Sequence, residues 1–264
     1  MSTLEKQSVK LPRAPLIFVL AQVRFNPVLK MESYVPDIQE YLRHHAFPRY
    51  RVETIQNIMI GTETKTEVTK RWIFDDTDNH RQVILTTDAV TFQTTAYDTF
   101  DGFVSNFSMV TQPLVDYAKV ELIQQIGLRY VDLLTKIDNI ESRDLVKPGF
   151  SGILGSEIGV TKTAFSFVLQ AQTPPGVLTV RSVQLLDMPA FLPPDIGQTT
   201  LRFPDRVLNA QNARVLDFDH ISHRNIPFSC DALSKVLADL HEYTDKAFRA
   251  VATEQAILAW SKEE

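Results

Sequence analysis

Asp217, Asp219, His220 and His223 form the densest set of potential ligands in the chain. On a strand, Asp217 and Asp219 point to one face about 7 Å apart, close enough to share a divalent cation or to divide acid and base roles, while His220 points the other way. A metal site needs further ligands, and no spacing in the sequence identifies them. The preferred reading is therefore a strand with a wet face followed by a turn. There is no His-Glu-x-x-His pattern, and His44 and His45 diverge on a helix. Arg24 and Arg129 occupy matching places in two similar apolar runs, Val23-Arg24-Phe25 and Leu128-Arg129-Tyr130. A buried guanidinium needs a partner. It could clamp an anionic ligand through its planar fork, but an internal salt bridge to Asp217 or Asp219 is the commoner solution and is the one expected here. His241 lies next to Glu242, which does not face it on a helix, so a backbone carbonyl is the expected partner. Cys230 has no Gly-rich elbow and no evident base, and a nucleophile is not expected there. P-loop, G-x-G-x-x-G and G-x-S-x-G patterns are absent.

The elements that must carry these side chains follow from periodicity. Leu16 to Phe25 is a β-branched and aromatic run ended by Asn26-Pro27, and reads as a buried strand. Ser33 to Phe47 has helical spacing. From Tyr50 to Tyr97 the period falls to about two, in four runs separated by Thr62-Glu63-Thr64, Asp75 to Asn79 and Thr87-Asp88, which predicts an antiparallel meander. A second helix is expected from Thr99 to Lys119, kinked or divided at Pro113. The order then begins again. Ile123 to Leu134 answers the first strand, Glu141 to Gly159 is a weak helix or irregular cap, and Lys162 to Gln172 and Leu178 to Leu186 flank the hairpin signal Thr173-Pro174-Pro175-Gly176. A Pro- and Gly-rich loop spans Asp187 to Gly197, and Arg214 to Ile221 alternates as a strand. The last long helix carries Leu233, Val236, Leu237, Leu240, Tyr243, Ala247, Phe248 and Val251 on one stripe, with Asp231 as its expected N-cap. Thr253 caps a further short helix, Glu254 to Trp260.

This pattern predicts an α+β protein of two tandem helix-grip-like halves, 1–120 and 121–264, each a strand, a helix, an antiparallel meander and a long helix. The alternative is one α+β domain on a single large antiparallel sheet. Lys119-Val120-Glu121 contains no Gly, Pro or Ser, so the halves are expected to share an interface.

Of 264 residues, 44% are hydrophobic and 22% charged, with a net charge of -5, which excludes whole-chain disorder and argues against a broad polyanion-binding surface. Lys70, Arg71 and Trp72 lie among acidic residues, so nucleic acid is not an expected partner. One cysteine excludes a disulfide framework within the chain. The stretch Met1 to Pro15 has charges and prolines where a secretory leader needs an apolar core, and no run of about 18 apolar residues occurs. The expectation is a cytoplasmic protein with no membrane span and no cofactor.

Arg13-Ala14-Pro15-Leu16, Ile126-Gly127-Leu128-Arg129-Tyr130 and the late set Leu216 to Asp219, Leu240-His241, Phe248 and Thr253 together resemble a sporadically distributed, uncharacterised prokaryotic family. Its marks are an Ala-Pro start, a Gly-Leu-Arg-Tyr core strand and a Leu-His helix near the C-terminus. One departure is Asp132, where the resemblance leads one to expect Asn. The resemblance implies an accessory gene of mobile or defence-related neighbourhoods and supplies no mechanism. The residues themselves favour a non-enzymatic binding or interaction protein whose partner is another protein or a small apolar ligand, with homo-oligomerisation left open. The candidate contact residues are Arg24, Arg129, Asp217, Asp219 and His241. A metal-dependent hydrolase or nuclease on the Asp217/Asp219 strand is the alternative.

Overall fold

The computed structural model describes residues 11–60, 64–153, 155–161, 163–184, 191–197 and 199–263. Thr62, Glu63 and the first part of the loop expected at Asp187 to Gly197 lie outside them. Among the described residues, ten strands form one antiparallel sheet. They are β1 (Leu16–Phe25), β2 (Arg49–Ile60), β3 (Thr64–Asp75), β4 (Arg81–Leu85), β5 (Ala89–Thr94), β6 (Leu122–Leu134), β7 (Phe165–Gln172), β8 (Val177–Gln184), β9 (Arg214–Ser222) and β10 (Ile226–Pro227). Helices α1 (Met31–His44), α2 (Phe100–Asp116), α3 (Asp205–Leu208), α4 (Cys230–Val251) and α5 (Glu254–Trp260) accompany them, and Ser142–Leu145, Pro148–Phe150 and Gly155–Ile158 form short 3-10 turns. The protein is therefore α+β with a continuous antiparallel sheet. None of its described helices is long and apolar enough to cross a membrane.

The strand order is β2-β3-β4-β5-β1-β6-β9-β8-β7, with β10 beside β6. At its centre β1 and β6 run antiparallel, pairing Val19 with Tyr130, Leu20 with Arg129 and Val23 with Ile126. On either side of this seam the arrangement repeats: β1 pairs with the last strand of the meander that follows it, β5, and β6 pairs with β9. β7 and β8 form the hairpin read from Thr173-Pro174-Pro175-Gly176. Gly176 is required there, because a Cβ would sit 1.9 Å from the Ile221 carbonyl oxygen.

Strand alternation sorts side chains between two faces. Val19, Ala21, Val23 and Phe25 of β1 and Ile126, Leu128 and Tyr130 of β6 pack beneath α1, α2 and α4. The opposite face carries Val131 and Leu133, covered by Leu201, Phe203 and Val207 from the segment that contains α3. α4 buries Leu233, Val236, Leu237 and Leu240, each worth about 2 kcal/mol when fully removed from water.

One local expectation is narrowed and one is corrected. Pro113 does not divide α2, which runs on to Asp116. The proline falls in the last turn, where only one helical hydrogen bond is lost, and its own carbonyl still accepts from the Tyr117 N–H at 2.9 Å. The N-cap of α4 is Ser229 rather than Asp231: Ser229 has the extended backbone a cap requires, φ -146 and ψ 152, and its side chain accepts from the Ala232 N–H at 3.2 Å. Asp231 instead lies in the first turn, where a carboxylate suits the helix dipole. Ser229→Ala should cost about 1 kcal/mol in urea unfolding, and a change below a few tenths would show that this cap does not anchor the helix.

Candidate functional site

Arg129, on the face opposite the long helices, is 6% exposed and lies at the centre of an ion-pair cluster. Its Nε and Nη2 donate to the two oxygens of Asp217 at 2.7 and 2.8 Å, and Nη1 and Nη2 donate to Asp195 at 2.6 and 3.0 Å. Asp217, 1% exposed, also accepts from Arg181 at 2.7 Å, and Arg181 lies 3.7 Å from Asp219. The register explains the gathering, since Arg129 stands opposite Asp219 and Asp217 opposite Arg181 on neighbouring strands. Asp195 comes from a 3-10 turn of the covering segment. Burial opposes the Arg129 charge, but the bonds to Asp217 and Asp195 outweigh it and raise its pKa. The Arg129 bonds hold the Asp195 carboxyl below its usual range, while burial raises Asp219. Both Asp217 oxygens accept from guanidinium groups, whose positive charges disfavour a metal cation beside them. Among the described residues no group of three metal-capable side chains gathers anywhere.

Arg24 does not share this environment, contrary to the expectation of a buried pair. Its side chain is 50% exposed and pairs with Asp88 at 2.6 Å. The echo between the two strands ends here for a geometric reason: Arg24 stands next to the last residue of β1, opposite Ala89 and Gln125, outside the apolar cluster beneath the covering segment. An exposed pair of this kind contributes little to stability.

The helix side of the sheet holds a cavity of about 920 Å³. It lies where the ends of β1 and β6 meet the first turn of α2, the middle of α4 and the segment Leu11 to Pro15. His241 points into it from α4. Its Nδ1 is 2.9 Å from the Tyr130 hydroxyl, not from a backbone carbonyl as expected, and its ring stacks on Phe100 at 4.1 Å. Tyr130 also shares a hydrogen bond with Tyr97. Burial lowers the pKa of His241, pushes that of Tyr97 up to about 12 and raises that of Tyr130 well above its ordinary value. All three are therefore neutral near pH 7 and act as aromatic and hydrogen-bonding wall. The histidine whose ring is anchored on a backbone carbonyl is His220, with Nδ1 3.0 Å from the Leu240 carbonyl oxygen and Nε2 2.8 Å from the Thr173 hydroxyl. It ties the β7–β8 hairpin and α4 to β9.

Asp132 was not among the sequence candidates, and it is the most unusual group in the cavity. It shares the helix-facing side of β6 with Tyr130, is 3% exposed, lines the cavity and has no side-chain hydrogen bond among the described residues. Burial, reinforced by the charge of Asp217, pushes its pKa up to about 8. The signal available in the sequence was a carboxylate at the second position after Arg129-Tyr130, inside an apolar run where an unpaired charge is costly. The Cys230 thiol donates to the Gln112 side-chain oxygen at 3.4 Å, and among the described residues no base is hydrogen-bonded to it. The cavity thus brings together one buried carboxyl, a tyrosine–histidine pair and aromatic faces. No protein-family model matches the chain, and no curated protein matches it.

Proposed function

We propose that this protein is a non-catalytic binding protein whose ligand is a small organic molecule with an apolar body, held in the cavity between α2, α4 and the sheet. The observation that carries this reading is the cavity itself: its volume lies in the range of small-molecule sites, and its walls combine apolar and aromatic side chains with a few convergent polar groups. The finer architecture belongs to the same proposal. Each half is read as a helix-grip unit, with α2 and α4 gripped by their respective parts of the sheet. The repeated strand order about the β1–β6 seam supports descent from an internal duplication. On this reading the resemblance to the sporadic prokaryotic family makes the protein an accessory ligand-binding component. The hydrolase alternative draws no support from Asp217, whose oxygens are both engaged by arginines.

The neutral fluorophore N-phenyl-1-naphthylamine tests the binding reading. It should bind saturably with one probe per chain, with a blue-shifted emission. Ala14→Trp, which places an indole in the cavity from its rim, should weaken binding by at least about tenfold while leaving the melting temperature unchanged. Absence of saturable binding, or binding indifferent to Ala14→Trp, overturns the proposal.

A further inference from the structure

We propose that the ligand is an organic ammonium, a primary or secondary amine on an apolar body, seated with its cationic head on the Asp132 carboxylate and its body against Phe100, Phe218 and Phe248. The inference rests on the cavity being the binding site and adds the chemistry of what enters it.

Three observations converge. Asp132 is buried, lines the cavity and has no hydrogen-bond partner among the described residues, so its carboxyl can take one from a ligand that displaces water. Apart from Asp132, the wall carries three carboxylates, Asp98, Asp101 and Asp245, against two guanidinium groups, Arg206 and Arg249, a formal excess of one negative charge. Both arginines are engaged, Arg249 Nε donating to Asp245 at 2.9 Å and Arg206 Nη2 to the Leu16 carbonyl at 3.3 Å. An anionic head would meet this acidic rim. A neutral head would hydrogen-bond the protonated Asp132 carboxyl without ionising it, and would gain no charge attraction from the wall. Finally, aromatic side chains that line the same cavity offer negative ring faces to a cation.

Proton balance follows from the environment of Asp132. In the empty cavity burial, with the Asp217 charge behind it, holds Asp132 protonated near neutral pH. The amine arrives as its ammonium form, Asp132 releases its proton to solvent, and the pair that remains is carboxylate and ammonium. The other titratable or charged groups facing this point are Tyr130 from β6, Tyr97, Asp98 and Asp101 around the start of α2, His241, Asp245 and Arg249 from α4, and Arg206 from α3. His241, its pKa lowered by burial, stays neutral above about pH 6.5 and does not compete. Apparent affinity for the amine therefore rises with pH as the ionised fraction of Asp132 rises, by roughly 50-fold between about pH 6 and pH 8.

The test is calorimetric titration with 4-phenylbutylamine, 4-phenylbutanol and 4-phenylbutyrate, which share one apolar body. The amine should bind at least about tenfold more tightly than the other two near pH 8, release about half a proton there and close to one near pH 7 in buffers of different ionisation enthalpy, and lose its advantage toward pH 6. Asp132→Asn keeps the shape and removes the charge. It should bring the amine down to the alcohol and change the affinity for the alcohol by less than about threefold. Equal or tighter binding of the alcohol or the carboxylate by the parent protein overturns the ammonium inference and leaves the cavity reading in place. Failure of all three to bind, with N-phenyl-1-naphthylamine also failing, removes both. The comparison of heads and of pH on the parent protein stands even if Asp132→Asn does not fold.

Discussion

Arg129→Met should lower the free energy of unfolding by about 3–5 kcal/mol, enough to take a domain of ordinary stability close to its threshold. The loss is not that of a favourable pair alone. Removing the guanidinium takes one donor from each oxygen of Asp217, leaving one of them without the bond it had at 2.7 Å, in a site that is 1% exposed. Arg181 is left as the cation beside both Asp217 and Asp219. Asp195 loses both of its bonds as well, and with them a tie between the covering segment and the sheet. Because the cost comes from stranded carboxylates, a double variant in which Asp217 becomes Leu should recover part of it, as buried ion pairs can be replaced by apolar residues of similar volume. Urea unfolding of the two variants beside the parent is the measurement. If Arg129→Met unfolds like the parent, the structural role fails and an anion-binding role for this arginine is the better account.

The second large effect is a pH dependence. Asp132 holds a proton in the folded state up to about pH 8, while the same side chain in the unfolded chain releases it near 3.8. Between those values the folded state binds the extra proton, so the stability it contributes is fully present below about pH 4 and is lost as pH rises through the window. The slope approaches 1.4 kcal/mol per pH unit, and the whole interval amounts to on the order of 5 kcal/mol. His220 and His241 act in the opposite sense. Burial lowers both, so the stability attached to their neutral forms is gained as pH rises toward about 6.5. Comparison with Asp132→Asn cancels the histidines. The variant should gain on the parent by about 1.4 kcal/mol per unit from about pH 5 to 7, and by less as the pH approaches 8. Parallel stability curves for the two proteins would mean that Asp132 is ionised in the folded state throughout.

Much of the secondary structure is legible in the residues because it is fixed locally. The alternation in β2 to β5, the stripe on α4, the Thr253 cap and the Gly176 hairpin each need only neighbouring residues to specify them. The Arg129–Asp217 pair was legible for another reason: a cation in an apolar strand demands a partner, and few carboxylates stood on strands able to reach it. Asp195 escaped notice because it comes from an irregular segment with no periodicity to place it. Arg24 was misplaced because a three-residue echo records sequence and not depth, and depth at the end of β1 depends on how far a distant segment reaches. The role of Asp132 was hidden likewise. A carboxylate on β6 becomes a cavity wall only when α2, α4 and Leu11 to Pro15 converge on it, and no local pattern encodes that convergence.

The β1–β6 seam bears on how the molecule is made. The hydrogen bonds that join the two sides of the sheet link strands separated by the entire first meander and α2, so the central pairing is strongly non-local, and loop closure delays such contacts. A nascent chain that has emerged only as far as α2 can pair β1 with β5, yet the other edge of β1 stays bare until β6 leaves the ribosome. For that interval the edge that will become the centre of the sheet is an open apolar strand edge, the kind of surface that recruits a foreign strand or a chaperone.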